Sequence, residues 1–118
     1  LIEKIPYAKD LTEHLASAPM TEAEWHALGA MIAKFHQAGI YHADLNAHNI
    51  LMDKEINFWL IDFDRCENRE LNLSWQKANL SRLKRSFIKE VKLGRISHFD
   101  EKQWHWLIHG YQHFCHTI

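Results

Sequence analysis

The chain has 118 residues, of which 47% are hydrophobic and 25% charged, and its formal net charge at pH 7 is −1. This length predicts one domain, and the composition is that of an ordinary globular protein. The near-neutral charge gives no indication of a nucleic-acid partner, and no apolar run approaches the roughly 18 residues that a membrane-spanning helix needs.

The first third of the chain predicts a strand and two helices. Residues 1–5 form an apolar run typical of a strand, and residues 10–17 favour a short helix. A longer helix begins at Thr21, which forms a capping box with Glu24, and ends at Gly39, since glycine accepts the left-handed conformation of a helix end. Its predicted core-facing residues are Trp25, Leu28, Ile32 and Phe35.

Two further helices are predicted in the second half of the chain. One covers residues 74–93 and ends at Gly94; its predicted apolar stripe is Leu80, Leu83, Phe87 and Val91. The other begins near Asp100, with Gln103 as its capping partner; its predicted inward residues are Trp104, Leu107, Ile108, Tyr111 and Phe114. The sequence therefore predicts a mainly helical α+β chain.

Between the long helices lie two short apolar runs, residues 50–52 and 58–61, which predict a β-hairpin. We pair Met52 with Trp59, and this register places Asn49 opposite Asp62. Directly opposed residues project from the same face about 5.5 Å apart, and amide and carboxylate oxygens are ligands that Mg²⁺ accepts. Asp44 lies in the loop just before the hairpin, where a carboxylate can take a proton from a hydroxyl. The hairpin is thus predicted to carry a phosphotransfer site.

The residues of this segment resemble those of a known superfamily. The stretch YHADLNAHNIL at residues 41–51, followed by WLIDFDR at residues 59–65, is similar to the catalytic loop and metal-binding aspartate of protein-kinase-like enzymes. Within that superfamily it looks most like the 3-deoxy-D-manno-octulosonic acid (Kdo) kinase family. The later residues Trp75, Asn79, Arg82, Arg85 and Ser86 strengthen the resemblance.

The resemblance implies roles for individual residues. Asp44 would be the catalytic base, Asn49 and Asp62 would hold Mg²⁺ and the nucleotide, and His42 would be a structural residue of the loop. It also implies ATP as the phosphoryl donor and the Kdo sugar of a lipid A precursor as the acceptor. The expected location is the cytoplasmic face of the bacterial inner membrane, with peripheral contact to its anionic surface.

The chain lacks part of the expected machinery. Its four glycines do not form a glycine-rich loop, and no strand carries a phosphate-binding lysine. We therefore expect residues 1–118 to be the C-terminal lobe of a kinase-like enzyme, inactive on its own, with a nucleotide-binding lobe preceding it. By resemblance, the backbone at Glu3 and Ile5 would then be the hinge that meets adenine.

A basic stripe is predicted on the helix at residues 74–93. Arg82, Arg85, Lys89 and Lys92 recur at helical spacing opposite the apolar residues. A solvated face is the default interpretation of such a stripe. Alternatively it contacts an anionic acceptor or the membrane, where each basic residue contributes about 1 kcal/mol.

A histidine stripe follows on the last predicted helix, formed by His105, His109, His113 and His116. Pairs at this spacing can bind zinc, but catalytic zinc sites also take ligands from elsewhere in the chain. We interpret the stripe as an exposed or interfacial polar face rather than a metal site.

Several functions remain open from the sequence. A heptose kinase of the lipopolysaccharide pathway and an aminoglycoside-phosphotransferase-like enzyme are close alternatives to a Kdo kinase. An atypical protein kinase is disfavoured, because only about a dozen residues separate Asp62 from the helix near Ser74, too few for a long activation segment. A pseudokinase-like regulatory module is the non-enzymatic alternative, although Asp44, Asn49 and Asp62 are all present.

Overall fold

The computed structural model describes residues 9–61 and 65–114. Four helices dominate this part of the chain: α1 (Leu11–Ser17), α2 (Glu22–Gln37), α3 (Leu73–Lys92) and α4 (Glu101–Phe114). The fold is α+β, as the sequence predicted. Among the described residues, no helix is long and apolar enough to cross a bilayer.

The helix ends follow the predicted capping chemistry. Thr21 and Glu24 form the capping box of α2, and Asp10 forms an equivalent box at α1. Gly39 and Gly94 have φ angles of 78° and 72°, the left-handed conformation that ends a helix most readily at glycine. The predicted helix boundaries are therefore confirmed to within one or two residues.

In the described part of the chain, five short strands form two antiparallel sheets. In the first sheet, β1 (Lys9–Asp10) pairs with β3 (Ile50–Met52), which pairs with β4 (Phe58–Leu60). In the second, β2 (Ile40–His42) pairs with β5 (Cys66–Asn68). This second pairing brings the start and the end of the segment between α2 and α3 next to each other.

The predicted hairpin exists, but its predicted register was wrong by one residue. Met52 pairs with Phe58 rather than Trp59. The cause is a three-residue turn in which Ile56 has a φ of 62°, a left-handed residue of the kind that closes such turns. The Asp53 carboxylate stabilises the turn by accepting 2.9 Å hydrogen bonds from the amides of Glu55 and Asn57.

The core lies between α2, α3 and α4. The Trp25 and Phe87 rings meet edge to face with centroids 5.4 Å apart, and Phe87 stacks on Phe99 at 4.8 Å. Two residues predicted to face this core are exposed instead: Val91 at 37% and Phe114 at 38%. Both lie in the last turn of their helices.

Two glycines allow α2 and α4 to pack backbone against backbone. A methyl group on Gly29 would overlap the carbonyl oxygen of Leu107, and one on Gly110 would overlap that of His26. Neither clash can be relieved by rotating a side chain, because the obstructing atoms belong to the main chain. The close approach of α2 and α4 therefore depends on glycine at both positions.

We expect Gly110→Ala to destabilise the protein by roughly 3 kcal/mol, at the upper end of overpacking costs, because the helices must move apart. The measurement is the free energy of unfolding in urea. His105→Ala on the exposed face of the same helix is the control, expected to change stability by less than about 0.5 kcal/mol. Equal stabilities of the two variants would contradict the backbone contact.

Candidate active site

The candidate site is built on the segment that joins β2 to β3, residues 43–49, which we call the Asp44 loop. It ends in a 3-10 helix, Ala47–Asn49. The Asn46 side chain caps this turn by accepting hydrogen bonds from the amides of His48 and Asn49 at 2.8 and 3.1 Å. The cap fixes the loop and sets the direction in which Asn49 enters β3.

His42 fastens the loop to the neighbouring hairpin. It is buried, with 2% of its surface exposed. Its Nδ1 accepts a hydrogen bond from the backbone amide of Asp44 at 3.0 Å, so its Nε2 carries the proton and donates to the carbonyl of Ile61 at 2.9 Å. One imidazole therefore connects the Asp44 loop to the residue that directly precedes Asp62.

The Asp44 carboxylate accepts two side-chain hydrogen bonds and faces one arginine. Asn46 and Asn49 approach it with their amide nitrogens at 3.2 and 3.3 Å, and the Arg82 guanidinium lies 3.8 Å away. The side chain is 36% exposed. A carboxylate fixed in this way, yet accessible, can accept a proton from a bound hydroxyl.

Asn49 has an orientation that suits a hard cation. Its amide nitrogen donates to the carbonyl of Asp44 at 2.9 Å, and its Oδ1 accepts no hydrogen bond from any described residue. An amide oxygen without a donor is a ligand that Mg²⁺ can use together with carboxylate and phosphate oxygens. The residues present thus fit the expected metal as far as the structure describes them.

The predicted opposition of Asn49 and Asp62 was wrong, because of the one-residue shift in the hairpin. Asn49 lies opposite Ile61, whose amide donates to the carbonyl of Asn49 at 3.0 Å. Asp62 itself lies outside the described residues, as do Glu3 and Ile5 of the predicted hinge. Their roles stay predictions.

The face of α3 that looks toward the Asp44 loop carries polar side chains at positions i, i+3, i+7 and i+11. This spacing places them in one row along the helix. We call them the loop-facing row: Asn79, Arg82, Ser86 and Glu90.

The first half of the row contacts the start of the loop. Asn79 is buried at 2% exposure, and its amide nitrogen donates to the carbonyl of His42 at 2.9 Å. One turn later, Arg82 faces the Asp44 carboxylate. This end of α3 therefore positions the backbone before Asp44 and the charge on it.

The second half of the row contacts the end of the loop. The Ser86 hydroxyl accepts a hydrogen bond from the amide of Ala47 at 2.9 Å. Glu90, buried at 3% exposure, lies 3.4 Å from His48 Nε2. The row thus contacts the loop at four successive points.

Behind Asn79 a buried chain of hydrogen bonds extends into the core. Since Asn79 donates to His42, its Oδ1 accepts from His36 Nε2 at 2.9 Å. His36 Nδ1 then accepts from the Tyr111 hydroxyl at 2.7 Å, whose oxygen in turn accepts from Gln76 at 3.1 Å. The sequence did not predict this network, because helical periodicity marks Tyr111 as apolar core and gives His36 no role.

His36 predicts a pH dependence of stability. Burial lowers the pKa of His36 below its ordinary value, and the hydrogen bond to Asn79 only partly offsets this. In the unfolded chain His36 therefore takes up a proton near pH 6.5, whereas in the folded protein its imidazole is still neutral at that pH. The free energy of unfolding consequently decreases as the pH falls below 6.5.

We expect His36→Gln to flatten this part of the pH profile, since glutamine can both donate and accept but does not titrate. One group contributes a slope of at most about 1.4 kcal/mol per pH unit. Urea unfolding of both proteins between about pH 5 and 8 measures it. Identical slopes would contradict a neutral buried His36.

A cavity of about 430 Å³ opens between the Asp44 loop and α3, a size typical of ligand sites. Asp44 and Asn46 line one side, and Ser86 and Glu90 line the other. Its cationic lining residues are Arg82, Arg85, Lys89 and Arg95.

Only part of the predicted basic stripe lines the cavity. Arg82, Arg85 and Lys89 line it together with Asp44, whereas Lys92 does not. Arg95 was missed by the sequence analysis, because it follows the helix-ending Gly94 and falls outside the helical period. The structure therefore brings three of the four predicted basic residues to the candidate base.

The histidine stripe is separate from this cavity. His105, His109 and His113 are exposed on α4, and the His109 ring lies 5.9 Å from that of His26 on α2. His116 lies outside the described residues. In the described part of the chain, no group of three or more histidine, cysteine or acidic side chains could hold a metal ion.

Comparison with known proteins matches residues 1–111 to the model of the lipopolysaccharide kinase (Kdo/WaaP) family. The chain is 47% identical over 115 residues to the 3-deoxy-D-manno-octulosonic acid kinase of Pasteurella multocida, a match covering 95% of this chain and 47% of that protein. The enzymes of the same name from Mannheimia succiniciproducens and Photobacterium profundum are 48% and 46% identical, again over 95% of this chain and 47% of theirs. The chain thus spans about half the length of the curated relatives it matches.

Proposed function

The chain belongs to the lipopolysaccharide kinase (Kdo/WaaP) family, and on that premise we propose that the protein transfers the γ-phosphoryl group of ATP to a sugar hydroxyl of a lipopolysaccharide precursor. The acceptor we propose is the Kdo sugar attached to lipid A, as the names of the relatives suggest. The observation that carries the proposal is the partly exposed Asp44 carboxylate, held by two hydrogen bonds and one arginine at the edge of a polar cavity.

Asp44 is the base in this proposal. The acceptor hydroxyl gives its proton to Asp44 while its oxygen bonds to the γ-phosphorus of ATP. The bond between that phosphorus and the β,γ-bridging oxygen breaks, and ADP leaves. Because such transfer depends on positioning and charge rather than covalent catalysis, the contacts that fix Asp44 matter as much as its basicity.

Mg²⁺, when bound, would neutralise the charge that develops on the transferred phosphate. Asn49 would hold it through the Oδ1 that no described residue occupies, and family resemblance assigns Asp62 as the charged ligand. Resemblance also supports an additional nucleotide-binding lobe with its hinge at Glu3 and Ile5.

The place of action we propose is the cytoplasmic face of the inner membrane, where ATP meets the lipid-linked acceptor. The end of α3 supports a peripheral contact, since Lys92 is flanked there by Val91 at 37% and Leu93 at 52% exposure. A cation beside exposed apolar side chains suits an anionic lipid surface.

The test is phosphotransfer by the protein at its full natural length, with ATP and four acceptors: Kdo-lipid A, heptosylated lipid A core, an aminoglycoside and a general protein substrate. We expect phosphorylated product with Kdo-lipid A, on a hydroxyl of Kdo. Product with the heptosylated acceptor alone would change the acceptor assignment, and product with none of the four would refute the proposed activity.

A further inference from the structure

Some of the charged side chains that line the cavity beside Asp44 have partners of opposite charge, and others do not. Asp44 already faces Arg82 at 3.8 Å. Glu90 is buried between Arg95, 3.5 Å away, and His48, 3.4 Å away. Each carboxylate among the described lining residues therefore has an arginine neighbour that offsets its charge.

Arg85 and Lys89 have no carboxylate neighbour among the described residues. Both line the same cavity, and within residues 9–61 and 65–114 neither forms an ion pair with a carboxylate. Both are exposed on α3, so their charges are directed to whatever enters the cavity. Within the described residues, two cations without an ion-pair partner line a cavity whose carboxylates face arginines, and such cations form a site for an external anion.

Their position relative to Asp44 suits one small ligand. Arg85 lies three residues after Arg82, and Lys89 lies seven residues after Arg82. These separations correspond to about 4.5 and 10.5 Å along a helix. Since Arg82 faces Asp44, Arg85 lies about one helical turn and Lys89 about two turns along α3 from the residue beside the base, and all three line the same cavity.

We infer that Arg85 and Lys89 bind the carboxylate of the acceptor sugar and so direct its hydroxyl to Asp44. The inference rests on the proposed function and adds to it the group by which the acceptor is recognised: a sugar acid, in preference to a neutral sugar. Arg82 is not part of this subsite, because it faces the base. Lys92 is not part of it either, because it lies outside the cavity.

The experiment compares Arg85→Gln, Lys89→Gln and the double variant with wild type, in the protein at its full natural length. Each is assayed with Kdo-lipid A and with the same acceptor carrying a carboxamide in place of the Kdo carboxylate. Lys77→Gln, an exposed lysine on α3 outside the cavity, is the matched control. Arg85→Lys retains the charge and tests for partial rescue.

We expect the double variant to raise the KM for Kdo-lipid A by roughly 10- to 100-fold, the loss expected for charge-assisted hydrogen bonds. The KM for ATP and the melting temperature should stay near wild type, and Lys77→Gln should behave as wild type. With the carboxamide acceptor, wild type and double variant should be equally poor. Equal penalties on both acceptors would overturn the carboxylate assignment.

Three further outcomes would also overturn it. A raised KM for ATP would assign the cations to nucleotide phosphate. A penalty that disappears when the lipid A phosphates are removed would assign them to those phosphates. A penalty seen only with acceptor in anionic vesicles, and mimicked by salt, would assign them to the membrane.

A binding measurement separates this inference from the proposed function. Calorimetry of Asp44→Asn with the methyl glycoside of Kdo reports recognition without turnover. Binding that is lost in Asp44→Asn/Arg85→Gln/Lys89→Gln supports the subsite even if no acceptor is phosphorylated by wild type. Undiminished binding by that triple variant rejects the subsite even if phosphotransfer is observed.

Discussion

Asp44→Asn should reduce phosphotransfer by about 10²- to 10⁴-fold, the usual effect of removing a general base. Asparagine has nearly the same shape, so it preserves the packing of the Asp44 loop while removing the group that takes the proton. The nucleotide dissociation constant should change little, because Asp44 is proposed to act on the acceptor hydroxyl. Single-turnover phosphotransfer and nucleotide titration of the full-length protein measure the two effects.

The control for Asp44→Asn is Glu67→Gln on β5, which replaces an exposed carboxylate whose described side-chain partner is the nearby Arg69. It should leave phosphotransfer unchanged. If Asp44→Asn retained most of its activity, Asp44 would not be the base. If it lost nucleotide binding in parallel with activity, its role would be in the donor site instead.

Asn79→Leu should have the largest effect on stability. It removes the donor to the His42 carbonyl and the acceptor for His36 Nε2, both at 2.9 Å and buried. Each polar group left unsatisfied costs about 1–3 kcal/mol, so a total loss of roughly 2–6 kcal/mol is expected. Activity should fall as well, because His42 is the residue that fixes the backbone of Asp44.

Two other variants separate positioning from general destabilisation. Asn79→Asp keeps the shape and the acceptor for His36 but directs an oxygen at the His42 carbonyl, so kcat should fall more than stability explains, with the KM for ATP retained. Ser81→Ala on the exposed side of α3 should be neutral to within about 0.5 kcal/mol. If kcat were normal in the folded Asn79→Asp variant, the loop would not depend on this contact.

The helices were predictable from the sequence because their signals are local. Thr21 with Glu24, Asp100 with Gln103, and the two helix-ending glycines each act within one turn, and the structure places helix ends at all of them. The predicted hairpin strands were correct for the same reason. Their register was not predicted correctly, because it depends on whether the turn has three residues or four. Nothing in the sequence indicates that Ile56 adopts the left-handed conformation that closes the three-residue turn.

The parts of the site that escaped prediction depend on contacts between distant residues. The pairing of β2 with β5 was missed because Cys66–Asn68 is short and polar. The sequence predicted only the basic member of the loop-facing row. The roles of Ser86 and Glu90 could not be predicted, because they depend on contacts with the Asp44 loop. The contact between Asp44 and Asn49 was predictable, because motif resemblance reports a geometry that periodicity cannot; their roles in phosphotransfer stay predictions.

The chain of hydrogen bonds from Tyr111 to the Asp44 loop has a consequence during protein synthesis. The ribosome releases residues in order, and domains consolidate as their segments emerge. The Asp44 loop leaves the exit tunnel well before Tyr111, which bonds His36 from 75 positions away. Until α4 docks on α2, His36 lacks that partner and Asn79 is held less firmly against His42. A nascent chain paused before α4 therefore carries every residue of the Asp44 loop in an unfinished arrangement.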